Sequence, residues 1–191
     1  MLATAEGSVR GRFALVCYVP EPLGSAIGKL AHELCGVARP EAHITILPPR
    51  PLHRSLDEIS NIVRSTLERV PAFEVGLADV CRFDGTNVLY LNLSEGNETI
   101  HRLHDTLNRG DLAYDEPFEF RPHLTLSDPL AEADVEAAQR QAELMWKSFG
   151  VSQFRFDEIV FLHIAPGDAN GQWRRQWSIR LSKAAPAQSG V

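Results

Sequence analysis

Residues 40–47 read Pro-Glu-Ala-His-Ile-Thr-Ile-Leu, and residues 121–127 read Arg-Pro-His-Leu-Thr-Leu-Ser. The two stretches share one pattern, a histidine, an apolar residue, a threonine and an apolar residue, written eighty positions apart. Side chains of an extended strand alternate between its faces. His43 and Thr45 therefore share one face, with Ile44 and Ile46 on the other. The same alternation separates His123 and Thr125 from Leu124 and Leu126. Each stretch is thus a half-buried strand that shows an imidazole and a hydroxyl about 7 Å apart on its polar face.

Working outward, similar elements surround each copy. Before the first lies an apolar run, "FALVCYV" (13–19), ended by Pro20 and read as a buried strand. Residues 23–36 follow as a helix, with Leu23, Ile27, Leu30, Ala31 and Leu34 on one face and Gly36 as its C-terminal cap. Pro48-Pro49 is expected to stop the first His-Thr strand. Ser55 and Glu58 form a capping box that opens a helix to about Val70. Strands at 73–83 and 87–93 flank the turn Asp84-Gly85-Thr86. Asn97 is positioned to cap the next helix, and the loop 110–120 leads into the second copy. A long alanine-rich helix is expected over 131–149, and residues 154–165 and 176–182 read as a closing antiparallel pair. Element order and motif position agree between the halves, which points to an internal duplication. The expected fold is α+β and bilobal: two lobes related by a pseudo-twofold axis, mostly antiparallel sheets flanked by helices, and a cleft between the lobes. No linker separates the halves, so residues 1–191 read as one domain, with loose ends at 1–11 and 184–191.

Composition narrows the partners. Of 191 residues, 44% are hydrophobic and 23% charged, which is ordinary for a folded chain. The net charge of −6 argues against a track for extended duplex nucleic acid, which calls for a basic excess. Cys17, Cys35 and Cys81 are odd in number and lack C-x-x-C spacing, as in a reducing compartment. No signal peptide or span of membrane length is visible, and a cytoplasmic monomer is expected.

If the lobes face each other, two imidazoles and two hydroxyls converge on one cleft. One imidazole can take a proton from an attacking water or hydroxyl while the other protonates the leaving oxygen. The unperturbed histidine pKa of about 6.5 puts both forms within reach. The hydroxyls can hold non-bridging phosphoryl oxygens, and a strained cyclic phosphate is a suitable target. This scheme calls for no metal or other cofactor. The doubled H-x-[ST]-x-Φ phrase also resembles the mark of the two-histidine (2H) phosphoesterases, a superfamily that includes the 2′-5′ RNA ligase and RNA cyclic phosphodiesterase group. The strand–helix pattern carries the resemblance over roughly residues 12–183, and "HITIL" and "HLTLS" make it specific. It implies that His43 and His123 are the catalytic acid/base pair and that Thr45 and Thr125 hold phosphate. It further implies action on 2′,3′-cyclic phosphates, on cyclic or linear 2′-5′ bonds or on ADP-ribose cyclic phosphate, with some relatives joining RNA ends. The substrate is then a small nucleotide or an RNA end. A non-catalytic nucleotide-binding module and a 2′-5′ ligase are the alternatives.

Other residues carry weaker signals. Arg121 alternates onto the face of His123 and could pair with phosphate or lie at the rim. Tyr114 and Phe118 precede the second motif and could stack a base, as could Tyr18 and Trp173, although core packing explains aromatics equally well. The segment "WRRQW" (173–177) puts two arginines between two tryptophans and could contact nucleic acid, but a loop-to-strand surface is the stronger reading in an acidic chain. His163 is a weak third metal candidate, and no H-x-H or carboxylate cluster supports it. His101 and His104 read as a solvated helix edge, His32 as helix edge and His53 as loop.

Overall fold

A computed structural model describes residues 10–36, 40–168 and 171–182. Eight strands of these residues form one sheet: β1 (Arg12–Tyr18), β2 (His43–Pro51), β3 (Phe73–Arg82), β4 (Leu89–Glu95), β5 (Leu124–Thr125), β6 (Gln153–Phe156), β7 (Glu158–Ile164) and β8 (Arg174–Arg180). Their order is β6-β3-β4-β5-β2-β1-β7-β8, and every ladder between them is antiparallel. Four helices accompany the sheet: α1 (Leu23–Cys35), α2 (Leu56–Leu67), α3 (Asn97–Leu107) and α4 (Val135–Lys147). The two lobes are the halves of this one sheet, and they join where β5 meets β2.

The lobes are not the two halves of the sequence. β3 belongs with β4, β5 and β6, whereas β7 and β8 flank β1 and β2. The span 154–165 is likewise not one strand of a closing pair. It breaks at Asp157 into β6, which pairs with β3, and β7, which pairs with β1 and β8. β6 is one edge of the sheet and β7 lies next to the other, yet a single residue links them. Since one residue spans at most about 3.6 Å, the sheet must curl until its ends approach. The bonds at this seam agree: Leu181 N donates to Asp157 O, Ala72 N to Ser182 O and Ser182 N to Val70 O. No ladder rule in the sequence announces such a closure.

Local signals explain most boundaries. Ser55 and Glu58 make the expected capping box, and Gly36 caps α1 at φ 66°. α3 begins one residue away from expectation: Gly96, at φ 81°, is its cap and Asn97 its first residue. A Cβ at Gly96 would lie 2.9 Å from the Glu74 carbonyl. α4 is shorter than the alanine-rich stretch, and Trp146 near its end donates its indole N–H to Ala78 O. β2 runs through Pro48, Pro49 and Pro51 instead of stopping. It pairs with β1 along its length but with β5 only at Ile44, so beyond that point its second edge needs no N–H donors. Arg10 N donates to Leu52 O and Leu52 N to Gly11 O, so the chain is already anchored at residues 10–11. The other residues expected to be loose, 1–9 and 184–191, lie outside the described residues. No helix among the described residues is long and apolar enough to cross a membrane.

One face of the sheet carries the main core, including Phe13, Leu15, Ile44, Ile46, Leu91, Leu124, Leu126 and Phe161. Burying each such side chain contributes roughly 1.5–3 kcal/mol. α3 packs on β2 and β4, α4 on β3, and α1 on α4. Val16, Val160 and Leu162 form a smaller apolar cluster, joined by Tyr18. They alternate with the core residues of β1 and β7, so they lie on the opposite face, with His43 and Thr45.

The prolines around Arg50 deliver a buried cation to the loop before the second motif. Arg50 is 1% exposed. Its guanidinium donates to Pro48 O (3.1 Å), Asn108 Oδ1 (2.8 Å), Leu112 O (2.8 Å) and Glu116 Oε1 (2.5 Å). Burial pulls its pKa down, and Glu116 opposes that shift. His104 is not a solvated edge residue. It is 5% exposed, stacks on Phe120 at 3.8 Å and shares Glu116 Oε1 at 3.0 Å. Among the described residues no buried side-chain nitrogen or oxygen lacks a partner. Removing one member of a buried pair leaves the other charge uncompensated. Arg50→Ala is therefore expected to lower unfolding free energy by about 3–5 kcal/mol in urea titrations. The double variant Arg50→Met with Glu116→Gln is expected to lose much less, and equal losses would remove the ion pair as the brace.

Candidate active site

The motif strands are hydrogen-bonded neighbours in the sheet. Ile44 pairs with Leu124 in the antiparallel β2–β5 ladder. Continuing that register one residue each way sets His43 opposite Thr125 and Thr45 opposite His123. Residues directly opposite have Cβ atoms about 4.5–5.5 Å apart, and the diagonal spacing is about 7–8 Å. The imidazoles thus take one diagonal of a small four-cornered patch and the hydroxyls take the other. His43, Thr45 and His123 are partly exposed and Thr125 is exposed, while Ile44, Ile46, Leu124 and Leu126 beneath them are fully buried.

The backbone orients both rings alike. His43 Nδ1 lies 2.8 Å from Glu41 O, and His123 Nδ1 lies 2.7 Å from Arg121 O. A carbonyl can only accept, so Nδ1 carries a proton in each ring. Nε2 is then the nitrogen that can gain or lose a proton in either histidine.

The surroundings of the two rings differ. Phe83 and Tyr90 stand edge-on to His123 at 4.8 and 5.5 Å and stack on each other at 4.1 Å. This burial pushes the His123 pKa below its ordinary value. The carbonyl of Arg121 opposes the shift, while His43 and the Arg121 charge add to it. That His43 acts on His123 electrostatically agrees with the proximity the ladder requires. Arg121 is exposed and donates to the Tyr90 hydroxyl at 3.3 Å. On the other side Tyr18, directly across the ladder from His43, meets its ring at 5.8 Å. The Arg175 guanidinium lies over the Tyr18 ring at 4.0 Å and pairs with Glu41.

The remaining candidates lie outside the two motif strands. Tyr114 is 38% exposed on the braced loop, with Arg50 Cζ 5.7 Å from its ring centroid. Phe118 is 80% exposed. His163 shares the core face of β7 with Phe161, opposite His43, and bonds through Nε2 to Arg10 O at 3.0 Å. Trp177 packs on Phe161 with Arg64 above it. The Cys17 thiol is buried and its pKa is raised, which leaves it a core group. Sequence reading passed over Phe83, Tyr90 and Glu41, and met Arg175 only as part of the segment 173–177. Tyr90 had a faint signal as the one aromatic residue among the leucines of β4. Arg175 had only its place between two tryptophans, because its contacts join distant parts of the chain.

Comparison with known proteins bears on the family and the fold. The sequence model of the 2′-5′ RNA ligase superfamily matches residues 19–168. A predicted phosphoesterase of Geobacillus sp. (strain WCH70) is 28% identical over 144 residues, covering 71% of this chain and 79% of that protein. A second from Geobacillus kaustophilus (strain HTA426) is 26% identical over the same length, with the same coverage. Among solved structures, E. coli LigT complexed with phosphate superposes with a TM-score of 0.62 at 15% identity, over 92% of this chain and 100% of LigT. Its complex with 3′-AMP gives 0.60 at 16%, over 91% and 99%. TT0787 of Thermus thermophilus gives 0.61 at 16%, over 91% and 100%. With two His-Thr strands paired at the centre of a curled antiparallel sheet, and a family match over most of its length, the chain belongs to the 2′-5′ RNA ligase superfamily.

Proposed function

We propose that the protein is a cytoplasmic, metal-independent phosphoesterase. It opens a 2′,3′-cyclic phosphate, or a related 2′-5′ or cyclic nucleotide bond, on an RNA end or small nucleotide. The observation that carries this reading is the mirrored pair of imidazoles, each held through Nδ1 by a carbonyl two residues upstream and set one diagonal apart. His123 Nε2 takes a proton from water as the water oxygen bonds to phosphorus. The ester P–O bond on the far side breaks, and His43 Nε2–H gives its proton to the leaving oxygen. His123 ends protonated and His43 neutral, and exchange with solvent restores the starting state.

Burial supports His123 as the base, because its lowered pKa keeps the ring neutral near pH 7. Thr45 and Thr125 hold the non-bridging oxygens from the other diagonal. Arg121, aligned by Tyr90, supplies positive charge at the rim, and Tyr114 meets the rest of the substrate. That LigT is solved in complex with phosphate and with 3′-AMP supports this reading.

The test is turnover of 2′,3′-cyclic nucleotides in EDTA with product identification. His43→Ala and His123→Ala are each expected to lower kcat by about 10²–10⁴-fold. Undiminished turnover in either variant would remove that residue from the mechanism, and tight binding without product would identify a binding module. The pH profile supplies a second check. A base must be neutral to act, so the rate is expected to rise with pH through the His123 pKa, with a midpoint below about 6.5. Phe83→Ala lets water reach the ring and is expected to move that midpoint upward. A midpoint that stays in place would take the acid limb away from His123.

A further inference from the structure

Around the paired histidines the two lobes are chemically unlike. His123 stands in a wall of rings formed by Phe83 and Tyr90. His43 has Tyr18 beside it, and a guanidinium covers the Tyr18 ring instead of another ring: Arg175 Cζ is 4.0 Å from the centroid. Arg175 extends from β8, an edge strand, and is 55% exposed, while its partner Glu41 is 70% exposed. Exposed ion pairs and exposed cation–π contacts stabilise a fold only weakly. The position of Arg175 is therefore easily given up. Tyr18 is not so free, because it is held in β1 and packs against the apolar cluster of Val16, Val160 and Leu162. Beside the arginine lies a hollow of about 210 Å³ lined by Val160, Arg175, Trp177 and Ser178.

An aromatic face held in β1, with a planar cation kept over it only by weak, exposed contacts, suits a flat π-system. We propose that Tyr18 and Arg175 form a clamp for the substrate's nucleobase. The base stacks on Tyr18, and the guanidinium, now lying over that ring, moves to the outer face of the base. Stacking of this kind tolerates any base, since each has a π-face. Lysine, a compact point charge, does not reproduce the planar cover.

The clamp deepens the phosphoesterase reading and rests on it for the position of the phosphate. With the base held beside His43, the ribose lies on the His43 side of phosphorus. The leaving ribose oxygen then faces His43 and the attacking water faces His123. The clamp thereby assigns acid and base independently of any titration.

Calorimetric titration with adenosine 3′-monophosphate and with inorganic phosphate tests this without chemistry. The nucleotide is expected to bind the unaltered protein more tightly than phosphate does. Arg175→Lys and Tyr18→Leu are each expected to weaken the nucleotide about tenfold while phosphate binding stays within about twofold. Arg175→Lys, at an exposed site, keeps the test valid if Tyr18→Leu fails to fold. Equal binding of the two ligands by the unaltered protein, an unchanged nucleotide affinity in Arg175→Lys, or a parallel loss for both ligands would each overturn the clamp. Absent turnover would count against the phosphoesterase reading alone, because the titration needs no catalysis.

Discussion

The pairing of Ile44 with Leu124 is the constraint on which the candidate site depends. β5 is two residues long, and three sets of contacts hold it in place. β2 lies on one side. On the other, β4 pairs Tyr90 with Thr125 and Leu91 with Leu124, and Leu89 exchanges bonds with Leu126 and Ser127. Below, Ile44, Ile46, Leu124 and Leu126 are all fully buried. A slip of one residue in either strand would turn its histidine into the core and an apolar side chain into the cleft. The core therefore sets the register of the chemistry on the opposite face.

That register makes the two imidazoles geometrically alike, and their neighbours make them chemically different. Each Nδ1–H points to a carbonyl two residues upstream, which leaves Nε2 as the nitrogen that can gain or lose a proton on both sides. Phe83 and Tyr90 pack edge-on against His123, and burial opposes its protonation. Tyr18 bears Arg175 on its face at the His43 side. In this protein the difference comes from which aromatic residues β1, β3 and β4 bring to an otherwise symmetric patch.

The buried Arg50 links the two motifs away from the cleft. It lies on the strand that carries His43 and reaches Asn108, Leu112 and Glu116 around the loop that leads to His123. The proline-rich stretch around it is tolerated because β2 has no second partner there, so the same geometry that ends the β5 ladder admits the brace. His104 completes the network through Glu116, which is why a residue at helical spacing beside an apolar stripe lies buried instead of on a wet edge.

The alternation of His-Ile-Thr-Ile and His-Leu-Thr-Leu was enough to place both motifs on strands and to put histidine and threonine on a shared face, and the strand and helix patterns around them indicated an α+β fold. Capping residues such as Ser55, Glu58 and Gly36 set helix ends for equally local reasons. These features are legible because a strand's period and a helix cap depend on residues close together in the chain. The strand order, the break at Asp157, the exchange of β3 and β7 between lobes, and the contacts of Arg50, Tyr90 and Arg175 depend on distant segments meeting as the sheet curls. No local period encodes such meetings, so the tertiary structure alone decided which arginine lies over Tyr18, which rings enclose His123, and how the two histidines come to differ.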